Sequence, residues 1–298
     1  MELIIHVGLP KTATTTIQES LTKDTSINFI NKAAAKYLRI INNASEEKFH
    51  KKESYLKKQF YSLLKENKLN IISYESFTDV ITPLFINDRN PHRIKMLRLY
   101  KIFGEYDPKI IITIRNQVDL FYSSFVQGIS EGWHQDVDYS VTLNNLLDKK
   151  KSVYDLNRIV YLYKNKFRSV AVIGFETVYH GLYFQKLSDE FNVPIENVFK
   201  NIKKKKVDSV LSNKVLLSQY FKLKSLSLYN NIFLRLAFRF LEKITRNISL
   251  INLNIRKPVK IQKISKTDRE KILEEFKEGN YELINHIEDE IVSKYYLP

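Results

Sequence analysis

The chain opens on a run of apolar positions, Leu3-Ile4-Ile5-His6-Val7, that stops at Gly8-Leu9-Pro10. A short apolar run bounded by turn residues predicts a buried strand. A threonine-rich stretch follows, and Ile17-Gln18-Glu19-Ser20-Leu21 begins a helical pattern, so strand, tight loop and helix fall within about twenty residues. Residues 46–66 read as a charged helix and residues 69–74 as a second strand. Residues 92–103 have helical periodicity, with Ile94, Leu97 and Phe103 on one side, and Asp107-Pro108 ends it. Residues 109–114 are β-branched and almost wholly apolar, the pattern of a central parallel strand. A helix is expected from near Val118 past Gln127. A further strand over 170–175 precedes a helix from about Leu182 to Phe191.

Four strands alternating with helices predict an α/β fold with a mostly parallel sheet. Beyond residue 207 only helical patterns stand out, and no strand is expected there. Phe233, Leu236, Ala237, Phe240, Leu241 and Ile244 recur at helical spacing, while Arg235, Arg239, Lys243 and Arg246 fall largely off that stripe. The favoured reading is a helix facing the core, ahead of one lying on a membrane surface. Ser265-Lys266-Thr267-Asp268 predicts a capped helix with Ile272, Leu273 and Phe276 on its buried side. With no internal repeat and no clear linker, residues 1–298 read as one domain. Its core is an α/β part over 1–199, followed by a mainly helical part over 200–298.

Composition narrows the picture. Of 298 residues, 44% are hydrophobic and 27% charged, ordinary values for a globular protein. Cysteine is absent, which excludes disulfides, thiolate metal sites and cysteine nucleophiles. The net charge of +15 attracts nucleic acids, anionic membranes and small polyanions alike. The run Lys203–Lys206 reads best as a solvated loop, ahead of an anion-binding patch. No signal-peptide pattern and no long apolar span are present, so the expected location is cytoplasmic, with peripheral membrane contact left open.

The loop His6-Val7-Gly8-Leu9-Pro10-Lys11-Thr12-Ala13-Thr14-Thr15-Thr16 sits where a strand passes into a helix. Free N–H groups and the helix dipole there suit an anion, Lys11 adds a full charge, and the threonines add hydroxyl donors. A Walker A loop requires Gly directly before its Lys; Pro10 stands there instead. The second constellation is Arg115-Asn116-Gln117 at the end of the 109–114 strand, with Ser123 eight residues after Arg115 and Ser124 as the alternative if the register slips. Arg presents a planar fork of donors suited to phosphate. The third is Glu75, directly after the second strand.

These motifs resemble the sulfotransferase family. Lys11-Thr12-Ala13-Thr14-Thr15 resembles its 5′-phosphosulfate loop, with Ala13 where the family carries Gly. Arg115 and Ser123 resemble its 3′-phosphate motif. Residues 172–178, with Phe175 and Glu176, resemble the strand and aromatic–Glu segment that follow, and the likeness extends over about residues 3–195. The resemblance implies a P-loop-NTPase-like three-layer fold and the donor 3′-phosphoadenosine 5′-phosphosulfate (PAPS), with adenosine 3′,5′-bisphosphate as product. It assigns Lys11, Thr12, Ala13, Thr14, Thr15 and Thr16 to the phosphosulfate, and Arg115 and Ser123 to the 3′-phosphate. Glu75 is implied as the base for an acceptor hydroxyl on a carbohydrate or glycolipid, and neither a metal nor nucleic acid is expected. Among the histidines, His6 reads as structural, His92 as a helix-start residue and His134 as a surface turn. The family's late Arg- and Gly-rich loop has only weak candidates in Arg256 and Lys257. The readings to set against this one are a divergent P-loop kinase and a basic nucleic-acid- or membrane-binding protein.

Overall fold

The N-terminal apolar run forms β1 (Leu3–His6) at the centre of a five-stranded, all-parallel sheet. The other strands are β2 (Asn28–Phe29), β3 (Asn70–Ser73), β4 (Lys109–Ile114) and β5 (Ser169–Gly174), in the order β2-β3-β1-β4-β5. A computed structural model describes residues 1–9, 11–78, 91–130, 154–179, 232–247, 264–287 and 295–297, with shorter stretches at 182, 185–186, 188–189, 210–211 and 259–260. Every residue of β1 and β3 is buried, as is all of β4 after Lys109. Central parallel strands are covered on both faces, which is why they read as unbroken apolar runs rather than alternating ones. The fold is therefore α/β, as expected, with five parallel strands rather than four. β2 is two half-buried residues long, too short to show a period.

The chain forms two compact units. The first comprises Met1–Gln117, Lys150–Lys204 and Leu273–Pro298; the second comprises Val118–Lys149 and Lys205–Ile272. The first unit carries the sheet. Its helix α1 (Thr14–Lys23) buries Ile17 and Leu21 against Ile4, Ile71, Ile111 and Ile173. Helices α2 (Asn31–Asn43), α3 (Glu46–Tyr61) and α4 (Pro91–Phe103) pack together, with the rings of Phe60 and Phe103 meeting edge-on at 4.7 Å. Ser45 caps α3 by accepting the Lys48 N–H, a bond whose loss costs about 1 kcal/mol. Arg98 of α4 is buried, yet it donates to the Ile41 carbonyl and to Glu46 and lies over the Phe49 ring at 4.9 Å. The helix α6 (Leu156–Lys164) precedes β5, and the short α7 (Phe175–Tyr179) follows it. The C-terminal segment returns to this unit, where α10 (Lys277–Ile284) packs against α6.

Most of α5 (Gln117–Ser130) belongs to the second unit, with α8 (Ile232–Asn247) and the first turns of α9 (Lys266–Glu275). Two expectations are corrected there. β6 (Val210–Leu211) and β7 (Val259–Lys260) pair antiparallel, so the region beyond residue 207 does contain strands; at two residues each they leave no periodic trace. The α8 stripe does not face a core: Phe233, Leu236 and Phe240 are 82%, 55% and 64% exposed. The cap on α9 forms as expected. Ser265 Oγ accepts the Asp268 N–H at 3.0 Å and donates back to its carboxylate at 2.7 Å, and Ile272, Leu273 and Phe276 are buried. No described helix is long and apolar enough to cross a membrane. The lysine run 203–206, His134, Arg256, Lys257 and half of the helix expected over 182–191 lie outside the described residues.

Candidate functional site

The strand order itself creates a crevice. From β1 the chain leaves toward β2 on one side of the sheet, and from β4 it leaves toward β5 on the other. The two connections diverge at the carboxyl ends of β1 and β4, the place where open parallel sheets bind ligands. The Lys11 loop follows β1 and Arg115 follows β4, so both motifs flank this point. Glu75 opens a single 3-10 turn, Glu75–Phe77, after β3 on the far side of β1.

Beneath the loops, His6 ties the three central strands together. Its ring nitrogens lie 2.7 Å from Ser73 Oγ on β3 and 2.7 Å from Thr113 Oγ1 on β4, and the residue is buried. A neutral imidazole carries one donor and one acceptor, and the two hydroxyls can rotate to complement either tautomer. Burial lowers the His6 pKa to about 3, because a charged ring there would lose its water. His6 is thus structural. In the unfolded chain the ring titrates at its ordinary value, so its contribution to stability is complete above about pH 6.5 and is lost as pH falls toward 3. The expected result is that the His6 imidazole resonances of the folded protein stay unchanged between about pH 7.5 and 5. A His6 midpoint near 6.5 would contradict this.

Gly8 follows at a close approach. A Cβ there would lie 2.6 Å from His6 Nε2 and 3.0 Å from Thr14 Cγ2. Thr78, after the 3-10 turn, donates to the Gly8 carbonyl at 2.7 Å and fastens the β3 loop to the β1 loop. Around the same point, Gln18 of α1 donates to the Ser73 carbonyl at 3.1 Å, and the Asn31 side chain accepts the Ser73 N–H at 2.8 Å.

The loop threonines differ in what they can offer. The buried Thr12 hydroxyl donates to the Leu9 carbonyl at 2.6 Å, and Thr14 donates to Glu75 Oε2. These two hydroxyl protons are committed to the protein, contrary to the expectation that all four threonines present donors to a ligand. What remains is backbone. The first helical bond of α1 runs from Ile17 N–H to the Ala13 carbonyl at 3.0 Å, and no side chain caps the helix. The N–H groups of Thr14, Thr15 and Thr16 therefore have no carbonyl within the helix, and the helix dipole places partial positive charge there. Lys11 and Glu75 are both half-buried at this edge.

Alanine at position 13 has a physical consequence. Ala13 is left-handed, at φ 56° and ψ 22°, and Lys11 is also left-handed, at φ 66°. The cost for an L-residue is about 1–2 kcal/mol, so the loop carries the geometry that Gly favours without a Gly to relieve it. Ala13→Gly is expected to stabilise the fold by about 1 kcal/mol. Urea unfolding measures this directly, and an unchanged or lower midpoint would count against the left-handed turn.

Arg115 joins the two loops. Its Nη1 donates to the Lys11 carbonyl at 2.9 Å, and its guanidinium lies 4.5 Å over the Phe175 ring at the end of β5. Its Nε is buried with no hydrogen-bond partner among the described residues, an arrangement that costs free energy unless a ligand oxygen accepts there. The strand–aromatic–Glu pattern marks Phe175, but nothing local in the sequence places it under the guanidinium. The neighbours of Arg115 are anchors. Asn116 donates to the Tyr295 carbonyl, while Gln117 and Asn280 exchange amide bonds at 2.7 and 3.2 Å. The C-terminal segment thereby pins the end of β4, through pairs more than 160 residues apart that no local pattern announces. Ser123 is half-buried and Ser124 buried on α5, in the second unit.

The structure thus brings Lys11, Thr12, Ala13, Thr14, Glu75 and Arg115 together at one sheet edge. A half-buried lysine, a row of helix-start N–H groups and a guanidinium with an unsatisfied buried nitrogen suit an anionic ligand, and the Glu75 carboxylate meets the same helix start through Thr14. Among the described residues no group of three or more His, Asp or Glu is arranged to hold a metal ion. In comparisons with known proteins, no family model and no curated protein sequence matches this chain.

Proposed function

We propose that this protein is a sulfotransferase that moves a sulfuryl group from PAPS to a hydroxyl of a carbohydrate or glycolipid, on a P-loop-like three-layer scaffold. The observation that carries the reading is the bond from Arg115 to the Lys11 carbonyl, which couples the two resembling motifs across the β1–β4 crevice.

In the proposed reaction the helix-start N–H groups of Thr14, Thr15 and Thr16 and the Lys11 ammonium hold the 5′-phosphosulfate. Arg115 holds the 3′-phosphate, with Ser123 assigned to it by sequence resemblance alone. The acceptor hydroxyl gives its proton to Glu75 as its oxygen attacks sulfur in line. The bond from sulfur to the bridging oxygen breaks, and adenosine 3′,5′-bisphosphate leaves with the added charge on its 5′-phosphate. Lys11 balances that charge, an interaction that strengthens as the charge develops. The hydrogen bond from Thr14 fixes Glu75 through Oε2 and leaves Oε1 for the acceptor.

The test is calorimetric titration with adenosine 3′,5′-bisphosphate and, as control, adenosine 5′-monophosphate. Tight binding that depends on the 3′-phosphate is expected. Arg115→Ala should weaken the bisphosphate by roughly 10–100-fold, the worth of hydrogen bonds to a charged phosphate, while leaving the monophosphate little changed. Equal loss for both ligands would mean that Arg115 acts only by holding the Lys11 loop. No binding by folded wild-type protein would overturn the donor assignment, and binding of ATP in its place would favour a kinase.

A further inference from the structure

The apolar face of α8 lies in water, which is an unfavourable state for three large side chains at one place. Phe233, Leu236 and Phe240 stand at i, i+3 and i+7, so a single helical face presents them together. Arg239 and Lys243 are exposed on the same helix, three and seven positions after Leu236, and so border that face. Over residues 232–247 the sequence places Arg235, Arg239, Lys243 and Arg246 against the single acid Glu242. At 16 residues the helix spans about 24 Å, short of what crossing a bilayer requires.

We propose that α8 is an interfacial helix that lays its Phe233–Leu236–Phe240 face into the headgroup boundary of an anionic lipid membrane, with Arg239 and Lys243 on the lipid phosphates. Large apolar side chains on one face, cations at its border and modest overall hydrophobicity are the features of a helix that lies on a bilayer. The long stems of Arg and Lys follow the apolar surface while their charged ends reach phosphate. Charge selects this occupant over a second copy of the chain. Pairing α8 with itself would oppose Arg239 and Lys243 to their own kind on a protein already at +15, whereas an anionic surface complements them. The inference does not rest on the transferase reading, since it uses no residue of the nucleotide site.

The experiment is co-sedimentation of the full chain with phosphatidylcholine vesicles, alone and with roughly 30% phosphatidylglycerol to supply a negative surface potential. Wild type should bind only the anionic vesicles, and less so as salt rises. Phe233→Ser with Phe240→Ser should weaken binding roughly tenfold or more, and Arg239→Gln with Lys243→Gln about fivefold for each charge removed. Both variants should keep the wild-type melting temperature, because the altered side chains are exposed. Absence of wild-type binding, or wild-type affinity in both variants, would overturn the proposal. So would a large loss of melting temperature in the phenylalanine variant, which would show the stripe packed inside the protein. A wild-type dimer that this variant converts to monomer, with neither form binding vesicles, would assign the face to self-association instead.

Discussion

On the proposed transferase reading, Lys11→Ala lowers sulfuryl transfer by about a thousandfold, the upper range for removing one preorganised stabiliser of developing charge, while leaving the fold intact. The expectation separates two roles of one residue. The Lys11 carbonyl accepts from Arg115 at 2.9 Å, and that backbone bond survives truncation of the side chain. Alanine meets the left-handed turn at φ 66° at much the same cost as lysine, so no backbone strain is added or relieved. Only the ammonium is lost. Release of adenosine 3′,5′-bisphosphate from PAPS, with an acceptor that wild type uses, measures turnover, and thermal melting checks the fold. Turnover within threefold of wild type in a folded variant would remove Lys11 from the leaving-group role. A loss shared equally by product affinity and turnover would make it a binding residue for the phosphosulfate and no more.

The second large effect is expected at Glu75. A positioned general base contributes about 10²–10⁴-fold, and Glu75→Gln removes the basic oxygen while preserving size and shape. Its amide oxygen can still accept from Thr14, so the contact that links the 3-10 turn to α1 remains. Turnover should therefore fall by two to four orders of magnitude with the affinity for adenosine 3′,5′-bisphosphate unchanged. Full activity in this variant would sink the base assignment. Loss of nucleotide affinity together with turnover would instead make Glu75 a structural partner of the loop, acting through Thr14.

Several parts of this molecule were legible because their cause is local. Residues 109–114 form β4 over the range expected, since a strand buried on both faces needs apolar β-branched side chains at every position. Ser265 and Asp268 form their reciprocal cap because the two partners lie three positions apart. His6 proved structural, as an uncharged ring within a buried strand should be. In contrast, no local start signal announces α2: its N-cap is Ile30, with no side-chain cap bond. The paired strands β6 and β7 are too short for their alternation to register.

By itself the sequence determined the α/β class, the strand–loop–helix around Lys11 and the residue types suited to two phosphate groups. Tertiary structure alone decided which of those residues meet. Parallel pairing of β1 with β3 brings Glu75 to Thr14 across 61 positions, and pairing of β1 with β4 brings Arg115 to Lys11 across 104. In the loop between β1 and α1, Ala13 is held left-handed, a conformation that its own propensity opposes. In α8 the periodicity identified the apolar face, but a period records only that a helix has two sides. Whether protein or solvent meets that face depends on residues far away in the chain, and here it is solvent.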